Sequence, residues 1–201
     1  MKKLLFALCL TFLTIPTLQA QNLTPAERTK ALKYLEKTRA DVFAATKGLS
    51  AAQWNFKPAT NRWSVAEVTE HIAAAEDFLM GMIHDKVMTA PARTEAADVQ
   101  AIDEFVLKNI PDRTTKVQAP EPLQPNNRFG SPKESLKHFK ASRAQTIKFL
   151  KESKDLRQHA LDSPLGKKLD GYEWVLFIAA HSERHTKQIN EVKADANFPK
   201  K

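Results

Sequence analysis

Thiol chemistry is nearly absent from this chain: Cys9 is its one cysteine, and it falls inside an N-terminal apolar run. Lys2 and Lys3 precede that run, Leu4 to Ile15 is apolar except for Thr11 and Thr14, and Pro16 breaks it. Leu18-Gln19-Ala20 then offers a cleavage site before Gln21. Residues 1–20 therefore read as a secretory signal peptide, too short and too interrupted for a membrane span. Its removal leaves residues 21–201 without a thiol, which excludes disulfides, zinc thiolates and cysteine nucleophiles. No second long apolar run exists, so no transmembrane segment remains after cleavage. A secreted protein, of the bacterial periplasm, is the expectation.

Glycine is also scarce, five in 201 residues, while Ala, Leu, Lys and Glu are plentiful, which points to helices rather than sheets. Charge of one sign is not concentrated anywhere. The formal net charge is +8, and two of the lysines behind it belong to the signal peptide. The remaining basic residues are spread over every segment, with no dense patch interleaved with aromatics, so nucleic acid is not expected as a partner.

What is present is a repeated helix-start device. A capping residue is followed three positions later by Glu, whose carboxylate reaches back to a free backbone N–H. It occurs at Thr24-Pro25-Ala26-Glu27, Ser64-Val65-Ala66-Glu67, Ser131-Pro132-Lys133-Glu134 and Asp170-Gly171-Tyr172-Glu173. Two of these also carry Pro at the first helical position, where its missing donor costs nothing. The pattern predicts helices over about Pro25–Thr46, Val65–Met88, Pro132–Ser153 and Gly171–Ala194. Leu32, Leu35, Thr38 and Val42 of the first face inward, as do Val68, His71, Ile72, Ala75, Leu79 and Met82 of the second. Leu136, Phe139, Ile147 and Leu150 form the third stripe. Trp174, Phe177, Ile178, His181, His185, Gln188, Ile189 and Val192 form the fourth. A shorter helical piece spans Ala97–Lys108, and the Pro- and Asn-rich stretch Ile110–Gly130 reads as an extended crossover. With no strand signal, the fold class is all-α: a four-helix bundle with a long crossover between helices two and three. Phe105, Val106 and Phe129, read as exposed apolar residues, leave a homodimer open.

Three of the six histidines fall on inward stripes: His71, and the pair His181 and His185 at i,i+4. Residues so spaced lie about 40° apart around a helix axis, so two imidazoles can grip one ion. A third from a facing helix completes three-nitrogen coordination and leaves a position for water or substrate. His84, His138 and His159 fall off the stripes or in polar surroundings and are read as surface residues. Three buried imidazoles without partners would be costly, which favours a shared divalent metal, Zn, Ni, Fe or Mn. Ala73, Ala74, Ala75, Ala179 and Ala180 nearby suggest a cavity beside it. Glu67, one turn before His71, and Gln188, on the His181 stripe, are candidates to support the ligands. Glu183 stands two residues after His181, not one, and is rotated away, which disfavours the HExxH chemistry of zinc proteases. The inward glutamates of a di-iron bundle are missing as well. No side chain identifies itself as a separate general base, which leaves metal-bound water as the one catalytic candidate.

Three stretches resemble the DinB-like (YfiT/DinB) superfamily of metal-binding four-helix bundles. They are Leu49-Ser50-Ala51-Ala52-Gln53-Trp54 with Lys57-Pro58, then Arg62-Trp63-Ser64-Val65-Ala66-Glu67 leading to His71, and His181-Ser182-Glu183-Arg184-His185-Thr186-Lys187-Gln188-Ile189. Together they span nearly all of residues 21–201, which the resemblance implies form one such domain. It maps the family's metal ligands onto His71, His181 and His185. It also implies metal-dependent chemistry, some members resembling thiol-dependent transferases, although a signal peptide sets this chain apart from the cytosolic members. The expected function is a metal-dependent hydrolase or transferase acting on a small molecule. The alternative is a non-catalytic envelope module that binds a metal or a small ligand. Trp54 and Trp63 are read as rim and core packing residues.

Overall fold

The computed structural model describes residues 22–94 and 97–200, so the expected signal peptide lies outside the described residues. Helix α1 (Pro25–Thr46) starts at a closed capping box: Thr24 N–H donates to the Glu27 carboxylate at 2.7 Å, and Glu27 N–H donates to the Thr24 hydroxyl at 3.2 Å. Gly48, in the left-handed region at φ 68, turns the chain out of the helix. A short helix α2 (Ala51–Asn55) follows, begun by a box between Ser50 and Gln53 that periodicity does not reveal. Five residues are too few to display a helical repeat.

Helix α3 (Val65–Met82) is capped by Ser64 and Glu67. The α-helix expected to reach Met88 stops at Met82 and widens into a π-turn, Ile83–Val87, closed by Met88 N–H donating to Ile83 C=O at 2.9 Å. Ile83 and Val87 remain fully buried, so the hydrophobic pattern continues through one wider turn and does not betray it. Helix α4 (Val99–Asn109) and a 3₁₀ turn (Glu121–Leu123) lie in the crossover. Helix α5 (Pro132–Glu152) is capped by Ser131, but its box is only half made, because the Glu134 carboxylate pairs with Lys137 at 3.3 Å instead. An antiparallel hairpin of β1 (Ala160–Asp162) and β2 (Lys168–Asp170) corrects the expectation of no strands. Its three-residue arms are too short to show alternation, and Gly166 at φ 67 makes the turn. Helix α6 (Gly171–Lys193) closes the order with a full box between Asp170 and Glu173.

Helix α1 packs on α5 and α6, and so does α3, which makes the four long helices a bundle with α1 and α3 across a diagonal. The first and second long helices, and the third and fourth, are thus diagonal partners and not neighbours, and the crossover carries α4 to the outside of α6. Packing on α6 buries Val106 completely, contrary to its expected exposure; Phe105 and Phe129 are half-buried. Among the described residues the exposed large apolar side chains are Phe78 and Val117. No helix among them is long and apolar enough to cross a membrane.

Two apolar clusters fill the bundle. One gathers Leu35, Ile83, Leu150 and Leu176, the other Val42, Val68, Phe139 and Ile189. On every long helix the residue between the two clusters is polar: Thr38, Glu76, Arg143 and Ser182. Arg143 is fully buried and forks onto Glu76, with both nitrogen–oxygen distances at 2.7 Å. It also donates to the Leu35 carbonyl, the Thr38 hydroxyl and the Ser182 hydroxyl at 2.8, 2.9 and 2.8 Å. One guanidinium thereby ties four helices together, and it reaches α6 at Ser182, next in the chain to His181.

A candidate metal centre

His71 projects from α3 and His181 and His185 from successive turns of α6, the two helices being packed together. Their Nε2 atoms converge: His71 to His185 and His185 to His181 are 3.1 Å apart, and His71 to His181 is 3.3 Å. His71 and His185 are buried, at 3% and 8% exposure, and His181 is the most exposed of the three. Trp63 lies against the His71 ring with centroids 5.0 Å apart, and Phe177 stacks on His181 at 6.2 Å. The indole therefore packs in the core, as expected, and also forms a wall of the site.

The outer nitrogens fix the proton positions. His71 Nδ1 lies 2.8 Å from the Leu123 carbonyl, which can only accept, so Nδ1 carries the hydrogen. His185 Nδ1 lies 2.8 Å from Gln188 Oε1, and that same oxygen receives Arg113 Nη1 at 3.4 Å. A guanidinium has only donors, so the Gln188 atom facing both groups is its oxygen, and His185 is also the Nδ1–H tautomer. Two Nε2 lone pairs thus face each other at 3.1 Å with no hydrogen between them. Burial pushes all three imidazoles below their ordinary pKa, and at His181 and His185 the neighbouring rings and arginines push further in the same direction. All three are therefore neutral at neutral pH, the form a metal requires.

Two such lone pairs and the Nε2 of a third neutral imidazole, all aimed at one point, fit a divalent ion. Ligands at 2.0–2.1 Å from a tetrahedral centre stand about 3.3–3.4 Å from one another. The observed 3.1–3.3 Å is close to that value. These three also form the one cluster of metal-ligating side chains found among the described residues.

Some expected supports take other roles. Glu67 accepts the Ser64 N–H at 2.8 Å and pairs with Lys57 at 2.6 Å, making no bond to the rings. Side chains in a helix lean toward its N-terminus, which carries Glu67 to its cap and away from His71. The alanines do not line a cavity: Ala73, Ala179 and Ala180 are packed in the two cores, and Ala74 and Ala75 sit under Leu123. Their small size lets the crossover come close enough for its carbonyl to reach His71. His84, His138 and His159 stay apart, contacting Phe149, Asp77 and the Ala90 carbonyl respectively. Arg113, which donates to Gln188, and Glu70, which accepts three backbone N–H bonds from the crossover, carry no signal in the sequence, where neither occupies an inward stripe.

A diagonal four-helix bundle with a buried three-histidine centre defines the class of protein. Residues 34–189 match the DinB superfamily, and the chain belongs to it. It is 29% identical over 165 residues to the protein YuaE of Bacillus subtilis (strain 168), covering 81% of this chain and 96% of YuaE. Its fold is similar to that of YfiT from Bacillus subtilis, a probable metal-dependent hydrolase with an unusual four-helix bundle topology. That superposition has a TM-score of 0.54 at 15% identity, spanning 88% of this chain and 91% of YfiT.

Proposed function

We propose that this chain is an exported metal-dependent hydrolase or transferase of a small molecule, with His71, His181 and His185 holding one divalent ion. The observation that carries it is the 3.1 Å separation of two Nε2 lone pairs that share no proton. Three neutral nitrogens suit Zn, Ni, Fe or Mn alike. Such an ion, when bound, supplies Lewis acidity and lowers the pKa of coordinated water. The chain's own part is to hold the rings. Leu123 and Gln188 fix two tautomers, the Arg143 network anchors α6 at Ser182 beside His181 in the chain, and Trp63 and Phe177 wall the centre with apolar surface. The described likeness of fold to YfiT supports hydrolysis, and the run from Lys2 to Ala20 supports export.

One observation favours a second reading, an envelope module that binds without turnover. Among the described residues no carboxylate bonds any of the three rings, so no base stands beside them. A panel of small esters, amides and phosphoesters offered to zinc-, nickel-, iron- or manganese-loaded protein separates the two. Turnover abolished in His71→Ala and His185→Ala supports the enzyme. Tight metal binding with no turnover on any substrate supports the module. Export is tested separately: protein recovered from the periplasm should begin at Gln21, and an intact N-terminus in the cytoplasm would refute it.

A further inference from the structure

Glu70 directly precedes His71 on α3. Its side chain is only 9% exposed. Its two oxygens accept backbone N–H bonds from Asn126, Asn127 and Arg128 at 2.9, 3.0 and 3.0 Å, and the Arg128 guanidinium lies 3.5 Å away. Arg128 in turn donates to the carbonyls of Pro122 and Gln124 at 2.9 and 2.8 Å. Residues 122–128 are thereby drawn into a closed strap, its tight corner at Asn127 with φ 64. One carbonyl of that strap, Leu123, accepts the His71 Nδ1–H, and its side chain is pressed onto Ala74 and Ala75. Two consecutive residues of α3 therefore grip the same strap from adjacent positions.

We infer that Glu70 is a positioning residue for the metal centre: it docks the strap so that the Leu123 carbonyl holds His71 in the Nδ1–H tautomer, Nε2 facing His181 and His185. This rests on the three histidines being metal ligands. Groups that orient a ligand from behind typically change metal affinity by about 10–100-fold when mutated. Linkage makes the effect mutual, since a strap that favours the metal is itself held by the metal. A carboxylate that merely tidied a surface loop would carry no such coupling.

Calorimetric titration with zinc, the visible spectrum of the cobalt(II) form and amide exchange of residues 122–128 test this on the full chain and on Glu70→Gln. The amide side chain keeps the shape but replaces one accepting oxygen with an NH2 donor, so the three N–H groups can no longer all be satisfied. Zinc affinity should fall about 10–100-fold, the cobalt spectrum should change, and metal-induced protection of the strap should disappear. Should Glu70→Gln fail to fold, Arg128→Ala decides, with a smaller loss of affinity in the same direction. Wild-type protein that takes up none of zinc, cobalt, nickel, iron or manganese overturns the metal reading itself. Wild-type uptake with unchanged affinity and spectrum in the folded variant, Glu70→Gln or Arg128→Ala, overturns the positioning role.

Discussion

Two buried polar layers touch in this bundle, one containing Ser182 and the other His181, and they are wired in opposite ways. Around Arg143 every N–H is taken: Nε and one Nη2 hydrogen go to Glu76, the other Nη2 hydrogen to Ser182, and the two Nη1 hydrogens to Leu35 and Thr38. Thr146 adds a further bond to the Glu76 carboxylate at 2.7 Å. The histidine layer closes only on its outside, through Leu123 and Gln188, and leaves lone pairs directed at each other within. A saturated network is complete as it folds and serves the fold. An array of unshared lone pairs is complete only with a cation, so it serves binding.

That contrast can be broken most forcefully at Arg143. Arg143→Ala leaves Glu76 charged and unpaired in the core, and such losses cost about 3–5 kcal/mol. Urea unfolding of metal-free protein measures it; a loss under about 1 kcal/mol would show that the network does not hold the helices as described.

Metal should act only on the other layer. At a free zinc concentration 100-fold above Kd, wild-type protein should gain about 2.7 kcal/mol of stability, and His185→Ala should gain none. A thermal shift of equal size in both would place the zinc elsewhere.

Acidification sharpens the comparison further. The folded pKa of each clustered histidine is depressed, so as pH falls through the ordinary value of 6.5 the unfolded chain takes up protons that the folded chain refuses. Metal-free protein should therefore lose stability below pH 6.5, down to the folded-state values, with a slope of at most about 1.4 kcal/mol per pH unit for each ring. Above about pH 7.5 these rings contribute no slope. Urea midpoints across pH 5–8 reveal it, and His71→Gln should flatten the curve.

The smallest effect belongs to His181→Gln in metal-free protein. No saturated network is lost, so the change should stay within about 1 kcal/mol by urea unfolding, while all stabilisation by zinc disappears. A cost as large as that of Arg143→Ala would make the histidines a structural layer.

Much of this was legible because it is local. Thr24, Ser64, Ser131 and Asp170 each cap the helix they announce, and a repeat of 3.6 residues puts His71, His181 and His185 inward. Arg143 could have been read too, since it lies four residues from both Phe139 and Ile147 on the inward stripe of α5. A charge on an apolar stripe signals a buried partner, and Glu76, four residues after Ile72, holds the matching place on α3. The Glu70 strap could not be found that way. Its partners are backbone groups 56–58 residues distant, and backbone amides leave no mark in a sequence. The π-turn, α2 and the hairpin escaped for a different reason: each is too short for its own periodicity to emerge.

The most direct measurement is metal content per chain, by elemental analysis of protein made without a histidine tag and dialysed against limiting Zn, Ni, Fe or Mn. One ion per chain is expected in the wild type, with none retained after His71→Ala, His181→Ala or His185→Ala. No stoichiometric metal in the wild type, or an undiminished ion in the three variants, would contradict the account.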